Sequence, residues 1–203
     1  MPKAILEFAQ VSKSGSLVTS GGGNSRTPTL MENTKMKNRR FFSALFVGLA
    51  LTLAALGAGS TRIFFISAGS TVTITDVTIR DGGTFNNGAG IFNLGNLRLK
   101  DVSLINNWAW ASGGGISSSG DLSLENVSLV NNRANENGGG VYVHSGSARM
   151  TATQILSNTA GDDGGGVYVY ADSATLSVER GTIQHNNAND GSGVYVSLGD
   201  ATL

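Results

Sequence analysis

The sequence predicts an all-β fold: a right-handed, single-stranded parallel β-helix, a solenoid of about five coils of 25–27 residues with three short strands per coil. Three observations carry that reading. First, a glycine block returns five times, as GAGIFN at 88–93, GGGISS at 113–118, GGGVYV at 138–143, GGGVYV at 164–169 and GSGVYV at 191–196. Its third residue steps by 25 from Gly90 to Gly115, by 25 to Gly140, by 26 to Gly166 and by 27 to Gly193. Second, an Asn motif travels in phase: LINN at 104–107, LVNN at 129–132, ILSN at 155–158 and IQHN at 183–186, with Gly82 at the equivalent place in the first coil. Third, short runs alternate apolar and small polar residues, as in VTITDVTI at 72–79, LRLKDVSL at 97–104 and LSLENVSL at 122–129. Successive side chains of a strand point to opposite faces, so such alternation reads as strand.

Each coil then offers an L-x-L strand, a V-x-L strand and the V-Y-V strand after the glycines. Strands this short bury no core alone. Stacked coil on coil they form parallel sheets about 4.8 Å apart around a shared interior. The alternation places Leu122, Leu124, Val127, Leu129, Val141 and Val143 inward in one coil. It places Leu97, Leu99, Val102, Leu104 and Ile116 inward below it, and Met150, Ile155, Val167 and Val169 above it. Each large aliphatic side chain stabilises by roughly 1.5–3 kcal/mol when buried. The column Asn107, Asn132, Asn158 and Asn186 is expected to form an amide ladder at a tight turn. The glycines are expected to allow φ > 0 or a close backbone approach at a second corner. Tyr142, Tyr168 and Tyr195 share one position and are expected to stack as an outward ladder, with Phe92 and Ser117 below them.

Domain organisation follows from composition. Residues 36–59 read as a signal peptide: the basic stretch Met36-Lys37-Asn38-Arg39-Arg40, an apolar run at 41–56, and a small-residue zone at Gly57–Ser60 where cleavage is expected. An uncleaved anchor is the other reading of the apolar run, although its length is marginal for a membrane core about 30 Å thick. Residues 1–35 lie upstream of that signal and read as a start-site artefact or a disordered extension, with translation starting at Met1, Met31 or Met36. Residues 60–203 form the repeat domain. Its last residues, Asp200-Ala201-Thr202-Leu203, resemble Ser173-Ala174-Thr175-Leu176 of the preceding coil. The expectation is a fragment of a longer repeat protein that continues beyond Leu203.

The chain has 14 basic and 14 acidic residues, unevenly spread: seven against two in 1–59, and seven against twelve in 60–203. An acidic repeat region without a basic stripe argues against nucleic-acid binding. The absence of cysteine excludes disulfides, thiolate metal sites and a thiol nucleophile.

The paired motifs resemble those of the polymorphic outer membrane proteins, which carry repeated GGAI and FxxN. Here GGGI, GGGV and GSGV stand for the first, and LINN, LVNN, ILSN and IQHN for the second, over about residues 72–200. The sequence departs from the pattern where Leu or Ile replaces the Phe and where Gly or Ser enters the glycine block. The resemblance implies a pectin lyase-like β-helix that is exported to the outer membrane, cell surface or medium, with adhesion as its role.

The sequence holds no motif for a catalytic residue. Asp162-Asp163 is the adjacent acidic pair of the repeats, and it falls on the corner occupied by Asn135-Glu136-Asn137 one coil earlier. It reads as a solvated turn rather than as the carboxylate pair of a glycosidase. Asp162, Asp163, Glu136 and Asp190 share that corner and make at most a weak Ca²⁺ site. No other cofactor or metal is expected. His144 and His185 occupy different repeat positions. Trp108 and Trp110 fall in a turn and either pack on a neighbour such as Phe85 or face solvent. With Tyr142, Tyr168 and Tyr195 they form the expected contact surface, for a carbohydrate or a cell-surface protein.

The leading functional expectation is an exported, non-enzymatic repeat protein with a structural, adhesion or binding role. The alternative is the N-terminal part of a polysaccharide lyase or glycoside hydrolase whose catalytic coils lie past residue 203.

Overall fold

The computed structural model describes residues 46–54 and 61–203, with side chains for the latter only. The expected segment 1–35, the basic stretch at 37–40 and the small-residue zone at 57–60 lie outside the described residues. Within the apolar run, the backbone of Phe46–Ala54 is a strand paired in parallel with Thr71–Arg80. No helix among the described residues is long and apolar enough to cross a membrane.

From residue 61 onward the chain winds as an all-parallel β-solenoid, and it makes six turns rather than five. The strands after the glycine corner stack in the order Phe64–Ile66, Ile91–Asn93, Ile116–Ser118, Val141–Val143, Val167–Val169 and Val194–Val196. Counting glycine blocks misses the lowest turn, because Arg62-Ile63-Phe64-Phe65-Ile66 has none.

Each full coil also has a fourth strand. Gly83–Thr84, Trp108–Ala109, Arg133–Ala134 and Thr159–Ala160 pair in parallel directly after the Asn corner. Two residues are too few to show alternation. The available signal was the small residue two places after the Asn position, where Thr84, Ala109, Ala134 and Ala160 are all buried.

The L-x-L and V-x-L strands bend apart at one left-handed residue: Asp76, Asp101, Asn126, Ala152 or Arg180, with φ between 50° and 56°. A second left-handed column precedes the Asn ladder, at Asp81, Asn106, Asn131, Ser157 and His185. Asp and Asn tolerate this region better than other non-glycine residues. The glycine corner uses both properties expected of it. Gly138 sits at φ 64°, and a Cβ on Gly140 would come within 2.6 Å of the Gly166 carbonyl in the next coil.

All the side chains placed inward by alternation are in the core, which runs unbroken from Ile66 to Leu176. The last strand, Asp200–Thr202, corrects one register. It aligns Ala201 with Leu176, not with Ala174, because the turn at 170–174 is longer than the turn at 197–199.

Polar groups hold the corners. Asn132 Oδ1 accepts from the backbone N–H of Asn107 at 3.0 Å and from its Nδ2 at 2.9 Å. Asn107 Nδ2 also donates to the Ile79 carbonyl at 3.1 Å. The same pattern links Asn132 to Asn158 and Asn158 to Asn186. A second, shorter ladder runs at the opposite corner, where the Ser112 N–H donates to Asn87 Oδ1, the Asn137 N–H to Ser112 Oγ, and the Asp163 N–H to Asn137 Oδ1.

Replacing Asn132 by Ala removes the acceptor of two buried donors and the donor to the Leu104 carbonyl. Each stranded buried group costs about 1–3 kcal/mol, so Asn132→Ala is expected to destabilise by at least about 3 kcal/mol in urea denaturation. A loss under about 1 kcal/mol would show that the ladder is not a main support of the corner.

Candidate functional site

Two aromatic groups lie on the outside of the solenoid, and they differ in what their rings leave open. The first contains both tryptophans. Trp108 sits on the short strand Trp108–Ala109, not in a turn; Ala109 points into the core and Trp108 points out. Its Nε1 donates to Asn135 Oδ1 at 3.3 Å, which fixes the indole. Trp110 lies edge-on to Trp108 at 6.1 Å between ring centroids. Phe85 lies 6.5 Å from Trp110, one coil below it. Packing against Phe85 and exposure therefore coexist: Trp110 remains 54% exposed and Phe85 63%. The equivalents of Trp110 in the next two coils are Asn135 and Gly161, so the cluster belongs to the lower coils alone.

The second group stands on the outer face of the sheet after the glycine corner. Tyr142 and Tyr168 stack at 5.5 Å, and Tyr168 and Tyr195 at 5.3 Å with planes 8° apart. These tyrosines point away from the core yet are not open surface, with Tyr142 only 8% exposed and Tyr168 6%. Tyr168 is covered on both faces by its neighbours, and Tyr142 and Tyr195 on one each. Alternation gives the direction of a side chain but not the burial that a column of rings confers on itself.

Two further rings complete this wall. His144 follows Val143, and Tyr170 follows Val169 one coil above; their rings stack at 5.3 Å. Each also lies near the first column, with 6.0 Å between Tyr142 and His144 and 6.4 Å between Tyr168 and Tyr170. The signal in the sequence was a ring at the same offset after V-Y-V in consecutive coils. His185 is separate, in the left-handed position before Asn186.

Burial, with the neighbouring Tyr168, Tyr170 and Glu136, pushes the Tyr142 phenol up to about 12. Below Tyr142 the column is interrupted by Ser117, a buried side chain whose Oγ has no hydrogen-bond partner among the described residues. Below Ser117 the column resumes with Phe92 and Phe65, 5.7 Å apart. The Arg62 guanidinium lies 4.8 Å from the Phe92 ring centroid and donates to the carbonyls of Gly88 and Asn87 at 2.9 and 2.6 Å.

The charged residues sort onto other faces. Arg98 and Lys100 meet Glu125, and Arg149 meets Glu179, all on the outside of the L-x-L strands. These pairs are exposed, and such pairs contribute little. Glu136, Asp162, Asp163 and Asp190 do lie at the glycine corner, with Asp163 bridged to Asp190 through the backbone. Among the described residues no three of His, Asp or Glu converge as a metal-holding group.

Residues 62–203 match the family model described as right handed beta helix region. Searches of curated proteins and of solved structures gave no match.

Two outcomes test this geometry. Ser117→Ala removes an unpaired buried hydroxyl and is expected to leave stability unchanged or raise it by about 1 kcal/mol; a clear loss would reveal a hidden partner for Oγ. For Tyr142 the folded state favours the neutral phenol, against an unfolded value near 10. Its contribution is complete below pH about 10 and disappears as the pH rises through about 12. Tyr142→Phe is therefore expected to lessen the fall in melting temperature over that window; an unchanged alkaline profile would contradict the assignment.

Proposed function

The chain belongs to the right-handed β-helix family, and on that premise we propose that it is an exported, surface-displayed or secreted repeat protein. Its role is binding or adhesion through the Phe85–Trp108–Trp110 surface. The observation that carries this reading is the exposure of Phe85 and Trp110 on a coil wall that is otherwise polar. Stacking requires none of these rings, since the later coils have Arg133 and Thr159 in place of Trp108. An exposed aromatic cluster fixed by an indole hydrogen bond and bordered by amides provides open ring faces with polar groups beside them. That chemistry suits a pyranose ring or an apolar anchor on a cell-surface protein. Export rests on the basic stretch at 37–40, the apolar run at 41–56 and the small residues at 57–60. The adhesion role rests on the resemblance to the polymorphic outer membrane repeats.

The test is a glycan array and a cell-surface binding assay with the whole chain. Trp110→Ala and Phe85→Ala are expected to weaken any binding at least about tenfold, the scale of an aromatic anchor, with the circular dichroism spectrum unchanged. Binding that survives the loss of both rings would overturn this surface as the contact.

A further inference from the structure

The ring wall of the upper coils coincides with a change in charge. The stretches that form this sheet and its flanking turns are 134–148, 161–175 and 188–200. They contain no Lys or Arg, but carry six acids and all four tyrosines of the chain. The corresponding stretches of the two coils below, 84–96 and 109–121, contain one acid and no tyrosine. Four of the six acids, Glu136, Asp162, Asp163 and Asp190, occupy the glycine corner beside the wall. Among the described residues none of the four has an ion-pair partner, although Ser112 Oγ lies 3.3 Å from Glu136 Oε2. Repeat stacking requires neither the acids nor a ring at every rung, since the coil with Ser117 in the column stacks without one.

The lower end of the same column holds a guanidinium beside a ring, on carbonyls whose equivalents in the upper coils are bonded to backbone N–H groups of the coil below. There the chain's own Arg62 lies against Phe92, its guanidinium donating to the carbonyls of residues 87 and 88. Stacking register carries Phe92 up to Tyr142, Tyr168 and Tyr195, and carries residue 87 up to Asp163 and Asp190. One guanidinium can therefore reach a ring of the column and the corner beside it. In the upper coils that corner bears carboxylates.

We propose that the Tyr142–Tyr168–Tyr195 wall, with His144 and Tyr170, docks an arginine-bearing basic peptide segment of a partner protein. Tyr170, 41% exposed, offers ring surface to a guanidinium, and the phenolic oxygens of the stacked tyrosines can accept guanidinium N–H groups. The corner carboxylates supply the complementary charge. Acids recur on three successive rungs about 4.8 Å apart, which suits an extended peptide with several cations better than one small cation. The influence of Glu136 on the Tyr142 phenol puts that carboxylate within electrical reach of the rings. This surface is distinct from the tryptophan cluster, so either can fail without the other.

Isothermal titration of the whole chain with hexa-arginine and hexa-lysine peptides, at about 0.15 M salt to screen diffuse attraction, tests the proposal. Saturable binding of hexa-arginine is expected, at least about fivefold tighter than hexa-lysine. His144→Ala with Tyr170→Ala should weaken it about tenfold. Glu136→Gln with Asp190→Asn, on the exposed corner, should do the same and serves if the first pair fails to fold. No binding, equal affinity for the two peptides, or affinity unmoved by a folded variant would overturn the proposal. Displacement of the peptide by millimolar tetramethylammonium would assign the wall to a small quaternary cation instead, and would equally overturn it.

Discussion

The fold depends on one repeated arrangement: the asparagine at each corner, whose Oδ1 accepts both the backbone N–H and the side-chain Nδ2 of the asparagine one coil below. A coil of this solenoid is a closed path of short strands, and every corner interrupts the backbone ladder inside the fold. Buried backbone groups left unpaired there would cost about 1–3 kcal/mol each. The asparagine repairs the interruption from within, because one side chain turns its acceptor oxygen to the coil below and its amide donors to the asparagine above and to a carbonyl of the coil below. Its geometry also fixes register, since the bonds form only when the copies lie directly above one another. Where register is fixed, the aliphatic columns from Ile79 to Ile155 meet one another in a continuous buried core.

The ends and the middle of the stack obey the same requirement in different ways. At the glycine corner of the lowest block the Arg62 guanidinium donates to the carbonyls of Asn87 and Gly88, whose equivalents in higher coils accept backbone N–H groups from the coil below. At Gly140 the next coil's carbonyl leaves no room for a Cβ. The opposite corner uses Asn87, Ser112 and Asn137 in a ladder with the reverse polarity, donating from the upper backbone to the lower side chain.

Much of this was legible in the sequence because stacking forces equivalent atoms into equivalent places. The period, the inward aliphatics and the Asn and glycine columns are direct consequences of that constraint. What escaped reading lacked a repeated signal of sufficient length. The two-residue strands such as Arg133–Ala134 cannot display alternation, and the lowest turn lacks the glycine on which the count relied. The candidate surfaces were half legible. Phe85, Trp108 and Trp110 are conspicuous by type, but only the fold brings Phe85 and Trp110 onto successive rungs. Tyr170 and His144 directly follow V-Y-V in consecutive coils, but only the fold shows their rings lying against the tyrosine column.

The two aromatic groups illustrate a general property of stacked repeats. When the same ring recurs at one position on every coil, the rings turn their faces to each other and become part of the scaffold. Tyr168 between Tyr142 and Tyr195 is the example, almost closed to solvent although it points outward. When rings stand at unlike angles, as Trp108 does to Trp110, their faces stay open. A regular column therefore supplies stiffness, with edges and end rings to offer a ligand, while an irregular cluster supplies faces. The first kind of surface suits hydrogen-bond donors that reach the phenolic oxygens and neighbouring carboxylates. The second suits flat or apolar groups that lie on a face. Recognition by a solenoid is then concentrated where the repeat is broken, because strict repetition leaves its own best contacts already made.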